Sequence, residues 1–82
     1  MDELKETVDL MLSDDYRERF KAEYYQTKIR YEKLHKILIK AESGTLEFKL
    51  KCSLDVLTEQ ISYMGHYLHM LEIRAELEEI NL

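Results

Sequence analysis

Basic side chains concentrate in the middle of this 82-residue chain, where they could bind a small anion. Residues 28–51 carry seven basic and three acidic side chains, a formal charge of +4, which leaves −9 on the remaining residues for a total of −5. Lysine and arginine hold phosphate groups through charge-assisted hydrogen bonds. The segment therefore predicts either a small-anion site or a solvated helix face whose charge is balanced by Asp55 and Glu59. The basic residues are Lys28, Arg30, Lys33, Lys36, Lys40, Lys49 and Lys51.

Six tyrosines in so short a chain supply a second chemistry, that of rigid apolar rings with a polar tip. Tyr24 and Tyr31 fall on the apolar seam defined below, so we predict that they lie in the core. Tyr25, Tyr63 and Tyr67 lie off that seam and are candidates for a contact surface. Such a surface could stack on a base or pack against another subunit.

No residue constellation in this chain predicts an enzyme or a metal site. His66 and His69 lie three residues apart, with Glu72 beyond them and His35 as a conceivable third ligand. No second pair has matching spacing, so we interpret them as surface or interface histidines. Carboxylates occur where a solvated face would place them, not as acid–base pairs. The single cysteine, Cys52, excludes an internal disulfide, is typical of a reducing compartment, and is predicted to pack.

Two apolar heptad seams predict the elements that must position these residues. Their alternating spacings of four and three indicate an all-α, antiparallel, coiled-coil-like helical hairpin. The first seam is Phe20, Tyr24, Thr27, Tyr31, Leu34, Leu38 and Ala41, and the second is Leu57, Ile61, Met64, Leu68, Leu71 and Ala75.

Local signals divide this single predicted domain into a short helix over 2–12, a long helix over 14–42, a connector over 43–53 and a last helix over 54–79. A break near Ser13 is predicted because residues 13–15 offer capping oxygens, and Ser53 can cap the last helix. Gly44 can take the left-handed conformation that ends the long helix. Within residues 45–52, apolar and polar side chains alternate from Leu46 onward, which fits an extended segment, an irregular loop or a helical turn.

A hairpin of this size has no enclosed core of its own, which predicts a homo-oligomer built from dimers with closed symmetry. Tyr25, Ile29 and Ile39 form a further apolar stripe that needs the N-terminal helix or another copy as a partner. The net charge of −5 argues against membrane binding and nonspecific nucleic-acid binding. Because no signal peptide or transmembrane run is present, we expect an intracellular protein.

Residues 23–34 and 57–74 resemble a family of small tailed-phage helical-hairpin proteins. The family pattern is a helix of the type E-x-x-x-L-x-x-R-x-x-K-L, a loop, and then L-L-x-x-Q-x-x-x-M-x-x-Y-x-x-x-L-x-x-R. Thr27 departs from the pattern at a position that is usually apolar. The resemblance extends to the hairpin domain of phage anti-defence sponges, which trap the cyclic-nucleotide or cyclic ADP-ribose signals of bacterial CBASS and Thoeris immunity.

The resemblance implies a noncatalytic homo-oligomer, without a cofactor, in the cytoplasm of an infected bacterial host. It would hold a cyclic nucleotide or cyclic ADP-ribose between protomers, with aromatic rings on the base and basic side chains at the phosphates. The implied ligand-binding residues are Tyr25, Arg30, Lys33, Lys36, Lys40, Lys49, Lys51, Tyr63 and Tyr67. One alternative is an acidic inhibitor of a host defence protein, comparable to an anti-CRISPR, and another is a structural coiled-coil adaptor.

Overall fold

The computed structural model describes all 82 residues and contains helices but no strand. A 3₁₀ helix, Leu4–Thr7, runs into α1, Val8–Met11, and is followed by α2, Tyr16–Glu42, and α3, Leu54–Leu77. The molecule measures 43 × 24 × 17 Å, so one long helix sets its length. The two long helices pack against each other, which confirms the predicted all-α hairpin. None of the helices is both long enough and apolar enough to cross a bilayer.

The boundaries of the long helices follow local capping chemistry. The Asp15 carboxylate accepts a hydrogen bond from the backbone N–H of Arg17 at 2.9 Å and thereby caps α2. The Ser53 hydroxyl accepts from the N–H of Val56 at 3.3 Å and caps α3. Gly44 has a φ of 73°, and the N–H groups at positions 44 and 45 bond back to the last turn of α2. The left-handed helix end predicted at Gly44 is therefore confirmed.

The core lies along the predicted seam but is concentrated at the open end of the hairpin. Its buried members are Phe20, Tyr24, Leu68, Leu71, Ala75 and Ile80. Nearer the turn, the seam residue Leu38 is buried, whereas Leu57 and Ile61 on the facing helix are only half-buried. We therefore expect the open end to hold the hairpin together and the turn end to be the less stable part.

Polar side chains join α2 to α3 at the same open end. The Tyr16 hydroxyl donates to Glu78 Oε1 at 2.9 Å and accepts from Arg74 Nη2 at 2.7 Å, while Arg74 Nε donates to Glu78 Oε2 at 3.2 Å. The bond to Glu78 raises the pKa of Tyr16 and that of Arg74. Further in, the Tyr24 hydroxyl donates to Glu72 Oε2 at 2.7 Å, and burial followed by this bond raises the pKa of Tyr24. These contacts run antiparallel, Tyr16 with Glu78 and Tyr24 with Glu72.

The N-terminal segment packs on the α2 helix of its own chain. Thr7 is fully buried; its hydroxyl donates to the carbonyl of Leu4 at 2.7 Å and accepts from Gln26 Nε2 at 2.9 Å. In the predicted second apolar stripe, Ile29 is buried whereas Ile39 is exposed. The 3₁₀ helix and α1 do not contact α3, so α2 forms the middle layer of the molecule.

The connector between α2 and α3 is an irregular loop of turns and bends. Leu46 and Leu50 are half-buried, whereas Phe48 and Cys52 are exposed. The prediction that Cys52 packs is therefore wrong. Without a strand, the alternation of apolar and polar residues does not assign the apolar positions to a buried face.

Glu79 ends α3 in a conformation that suits glycine. Its φ is 58°, and the following N–H, that of Ile80, donates to the carbonyl of Ala75 at 2.8 Å. A Cβ in this region costs about 1 kcal/mol. Glu79→Gly is therefore expected to raise the free energy of unfolding by about 1 kcal/mol, measured by urea denaturation. Gly44→Ala is the reciprocal control and should lower it by a similar amount; a destabilised Glu79→Gly would contradict the prediction.

Candidate anion-binding groove

Two cavities on the surface of α2 meet at Lys36, and together they form what we call the basic groove. The first has a volume of about 190 Å³ and is lined by Lys36, Ile37, Lys40, Leu46, Glu47 and Phe48. The second has a volume of about 220 Å³ and is lined by Asp2, Ile29, Glu32, Lys33 and Lys36. The groove therefore runs along α2 from the N-terminal residues to the connector.

The lysines of the groove share one face of α2. Lys33, Lys36 and Lys40 follow one another at spacings of three and four, which places their side chains above one another on a helix. The chain turns at Gly44, just after the end of α2, and this turn brings Leu46 and Phe48 beside Lys36 and Lys40. The long helix therefore contributes the positively charged side chains of the groove, and the connector contributes its apolar side chains.

None of these lysines has a carboxylate within ion-pair distance. The structure contains two ion pairs, Lys5 with Glu3 and Arg74 with Glu78, each at 3.2 Å. Asp55 and Glu59, which one of the two interpretations of the basic segment has balancing its charge, form no ion pair with it. Three carboxylates, those of Asp2, Glu32 and Glu47, also line the groove, but none is paired with a lysine. The ammonium groups are therefore free to make charge-assisted hydrogen bonds with an incoming anion.

Phe48 contributes the aromatic surface of the groove, and it was not among the predicted site residues. Its side chain is 57% exposed, and it lines the same cavity as Lys36 and Lys40. An exposed ring beside two lysines can stack on a base while the ammonium groups hold phosphate. The sequence offered one signal for this role, since Phe48 is the lone aromatic residue in a connector that carries basic side chains. The alternating pattern instead placed Phe48 among the apolar residues of that segment.

The groove brings together three of the nine predicted ligand-binding residues, Lys33, Lys36 and Lys40. The other six line neither cavity of the groove; they are Tyr25, Arg30, Lys49, Lys51, Tyr63 and Tyr67. Tyr25 packs against the buried cluster, and its ring meets that of Tyr24 edge-on at 5.1 Å between centroids. Tyr25 therefore contributes to packing within the protomer.

Tyr63 and Tyr67 lie on the exposed side of α3. Tyr63 is 67% exposed, and its hydroxyl donates to Glu59 Oε1 at 2.7 Å, a bond that raises the pKa of Tyr63. No residue of α3 lines the basic groove. These two rings could therefore reach a ligand in the groove only from another copy of the chain.

The histidines lie apart from the groove. His66 and His69 are exposed on α3, and the ring of His35 lies 6.0 Å from that of Tyr31 on α2. No three histidine, cysteine or acidic side chains are grouped as the ligands of a metal ion. A third cavity, of about 330 Å³, is formed on α3 by His69, Glu72, Ile73, Glu76 and Leu77.

A protein-family model described as Sequestin matches residues 14–77. The matched range contains α2, the connector and α3, and therefore the whole hairpin. It includes residues 23–34 and 57–74, and it confirms the family resemblance predicted from them. No curated protein and no solved structure matches this chain.

Proposed function

Because the chain belongs to the Sequestin family, we propose that it binds and sequesters a small signalling molecule rather than transforming it. The name of the family denotes sequestration, which supports a binding role. The ligand we propose is a cyclic nucleotide or cyclic ADP-ribose signal of bacterial immunity, held between protomers in the cytoplasm of a phage-infected host. The cavity that holds Lys36 and Lys40 has one acidic lining residue, Glu47, and therefore a net positive lining, which supports an anionic ligand of this kind.

The observation that carries this proposal is the position of Lys36 and Lys40 beside the exposed ring of Phe48 in one cavity. Hydrogen bonds to charged groups contribute about 1.5–3 kcal/mol each. Stacking of a base on an aromatic ring contributes about 1–3 kcal/mol. A ligand with a phosphate and a base can make the hydrogen bonds to lysine and also stack on Phe48. A simple anion can make only the hydrogen bonds.

The size of the groove supports a site completed by a second protomer. Neither of its two cavities, of about 190 and 220 Å³, alone reaches the roughly 300–1,000 Å³ typical of small-molecule sites. A base seated beside Phe48 in the smaller cavity would therefore be only partly covered by one protomer. We propose that another protomer supplies the remaining wall, and that Arg30, Lys49 and Lys51 are the further basic residues available to the phosphates.

Isothermal titration calorimetry tests the proposed function. The wild-type protein is titrated with cyclic dinucleotides, cyclic trinucleotides and isomers of cyclic ADP-ribose, with linear mononucleotides as matched controls. We expect saturable binding of at least one cyclic class, weakened by added salt because the contacts are ionic. Chromatography should recover the ligand unchanged. Absence of binding by every cyclic compound would overturn the proposal, and a chemically altered ligand would contradict sequestration.

The acidic part of the chain favours a second candidate, an inhibitor that covers a basic surface of a host protein. Fourteen acidic and five basic residues lie outside residues 28–51. Acidic surfaces of this kind accelerate and orient association with basic partners. Native mass spectrometry of gently purified protein separates the two candidates: extra mass of nucleotide size supports a sponge, whereas a co-purified host protein supports an inhibitor.

A further inference from the structure

A stripe of exposed apolar side chains, interrupted by Glu59 and His66, lies uncovered on the outer side of α3, apart from the seam that contacts α2. We call it the outer stripe; its members are Val56, Tyr63, Tyr67, Met70, Ile73 and Leu77, and all six are exposed. At 3.6 residues per turn, the stripe lies roughly a third of a turn around the helix from the buried seam. A helix that is apolar on two sides is typical of one covered from two directions.

The extent of the outer stripe matches what a stable dimer requires. Six large side chains, each about half exposed, present on the order of 500 Å² of apolar surface. A standard protein interface buries about 800 Å² on each partner, and somewhat more than half of that area is apolar. The outer stripe and its polar margins are thus sufficient for one such interface.

We propose that the outer stripe binds the outer stripe of a second copy of this chain, with the two α3 helices antiparallel. Val56, Tyr63, Tyr67, Met70 and Leu77 follow spacings of seven, four, three and seven, which read almost identically in both directions. An antiparallel copy therefore places Val56 opposite Leu77 of the partner subunit, and Tyr63 opposite Met70 of the partner subunit. The interface is isologous, as expected for a twofold dimer.

The register favours the antiparallel orientation over the parallel one. With Val56 opposite Leu77 of the partner subunit, Glu59 lies opposite Arg74 of the partner subunit. A parallel pair would instead place each charged side chain beside its own copy. The antiparallel pair also opposes the two helix dipoles.

The dimer leaves the basic groove accessible on each protomer, because no residue of α3 lines that groove. The protomer that completes the groove in the proposed function would therefore use a second, different contact. The dimer assigns Tyr63 and Tyr67 to subunit packing, one of the two roles that the sequence left open for them. This interface does not depend on a ligand, so it stands or falls separately from the proposed function.

Disulfide formation between introduced cysteines tests the orientation. In a Cys52→Ser background, Val56→Cys and Leu77→Cys are made as two separate proteins and are oxidised alone and as a mixture. We expect a covalent dimer in the mixture and little in either protein alone. Self-crosslinking of each protein alone, with no mixed Val56→Cys/Leu77→Cys dimer detected by mass in the mixture, would indicate a parallel pair and overturn the proposed orientation. No crosslink under any condition would overturn the interface.

Sedimentation velocity tests the surface itself. Met70→Glu places a charge at the centre of the stripe, and we expect it to weaken dimerisation by at least about 100-fold. Ser62→Glu adds the same charge to an exposed position of α3 outside the stripe and should leave the dimer intact. Circular dichroism should show both variants fully helical. A monomeric wild-type protein, or a Met70→Glu protein that dimerises normally, would overturn the proposal.

Discussion

Leu71→Ala is expected to lower the free energy of unfolding by about 3 kcal/mol, within the range of buried leucine truncations. Leu71 is 1% exposed and belongs to the buried cluster that joins α2 to α3. Small domains have total stabilities of only about 5 kcal/mol, so this single change removes much of what holds the hairpin together. Urea denaturation followed by circular dichroism measures the loss, at one fixed protein concentration so that any self-association contributes equally to both proteins.

Leu12→Ala is the matched control, since it removes the same atoms from a side chain that is 72% exposed. Its expected effect is within about 0.5 kcal/mol. Equal losses in the two variants would show that the cluster at the open end is not the dominant core. A loss confined to Leu71→Ala supports the packing described here.

Periodicity predicts which face of each long helix is buried, but not how deeply each residue lies: Tyr31, predicted in the core, is only half-buried. Phe20, Tyr24, Leu68 and Leu71 follow the heptad spacing, and each is buried, because that spacing fixes one face of a helix whatever lies opposite. Ile80 was not predicted to be in the core. It reaches the core only because the chain turns at Glu79 with a φ of 58°, and a turn of this kind has no periodic signal.

The candidate site was only partly predictable, for a related reason. Spacing on α2 places Lys33, Lys36 and Lys40 on one face, and the structure brings them together in the groove. Spacing within a single helix cannot say which face of another helix shares that surface, so grouping Tyr63 with these lysines went beyond what the pattern determines. Phe48 was missed because its position depends on the path of an irregular connector.

Removing the two groove lysines together, in Lys36→Ala/Lys40→Ala, is expected to weaken binding of the proposed ligand by at least about 100-fold. Each ammonium group lost from a phosphate contact removes about 1.5–3 kcal/mol, and about 2.7 kcal/mol already corresponds to 100-fold in affinity. Alanine preserves helix propensity, so α2 should remain intact. Calorimetry gives the affinity, and circular dichroism with sedimentation velocity reports fold and assembly.

Arg17→Ala/Lys21→Ala is the matched control, because it removes two positive charges from the same helix at residues that line neither cavity of the groove. If binding depends on contact with phosphates, only the groove variant loses affinity. If binding depends only on the overall charge of the protein, both variants lose the same affinity, and long-range electrostatic attraction alone accounts for binding. Loss of assembly in the groove variant would instead place Lys36 and Lys40 at a subunit interface, and normal affinity in that variant would exclude the groove as the binding site.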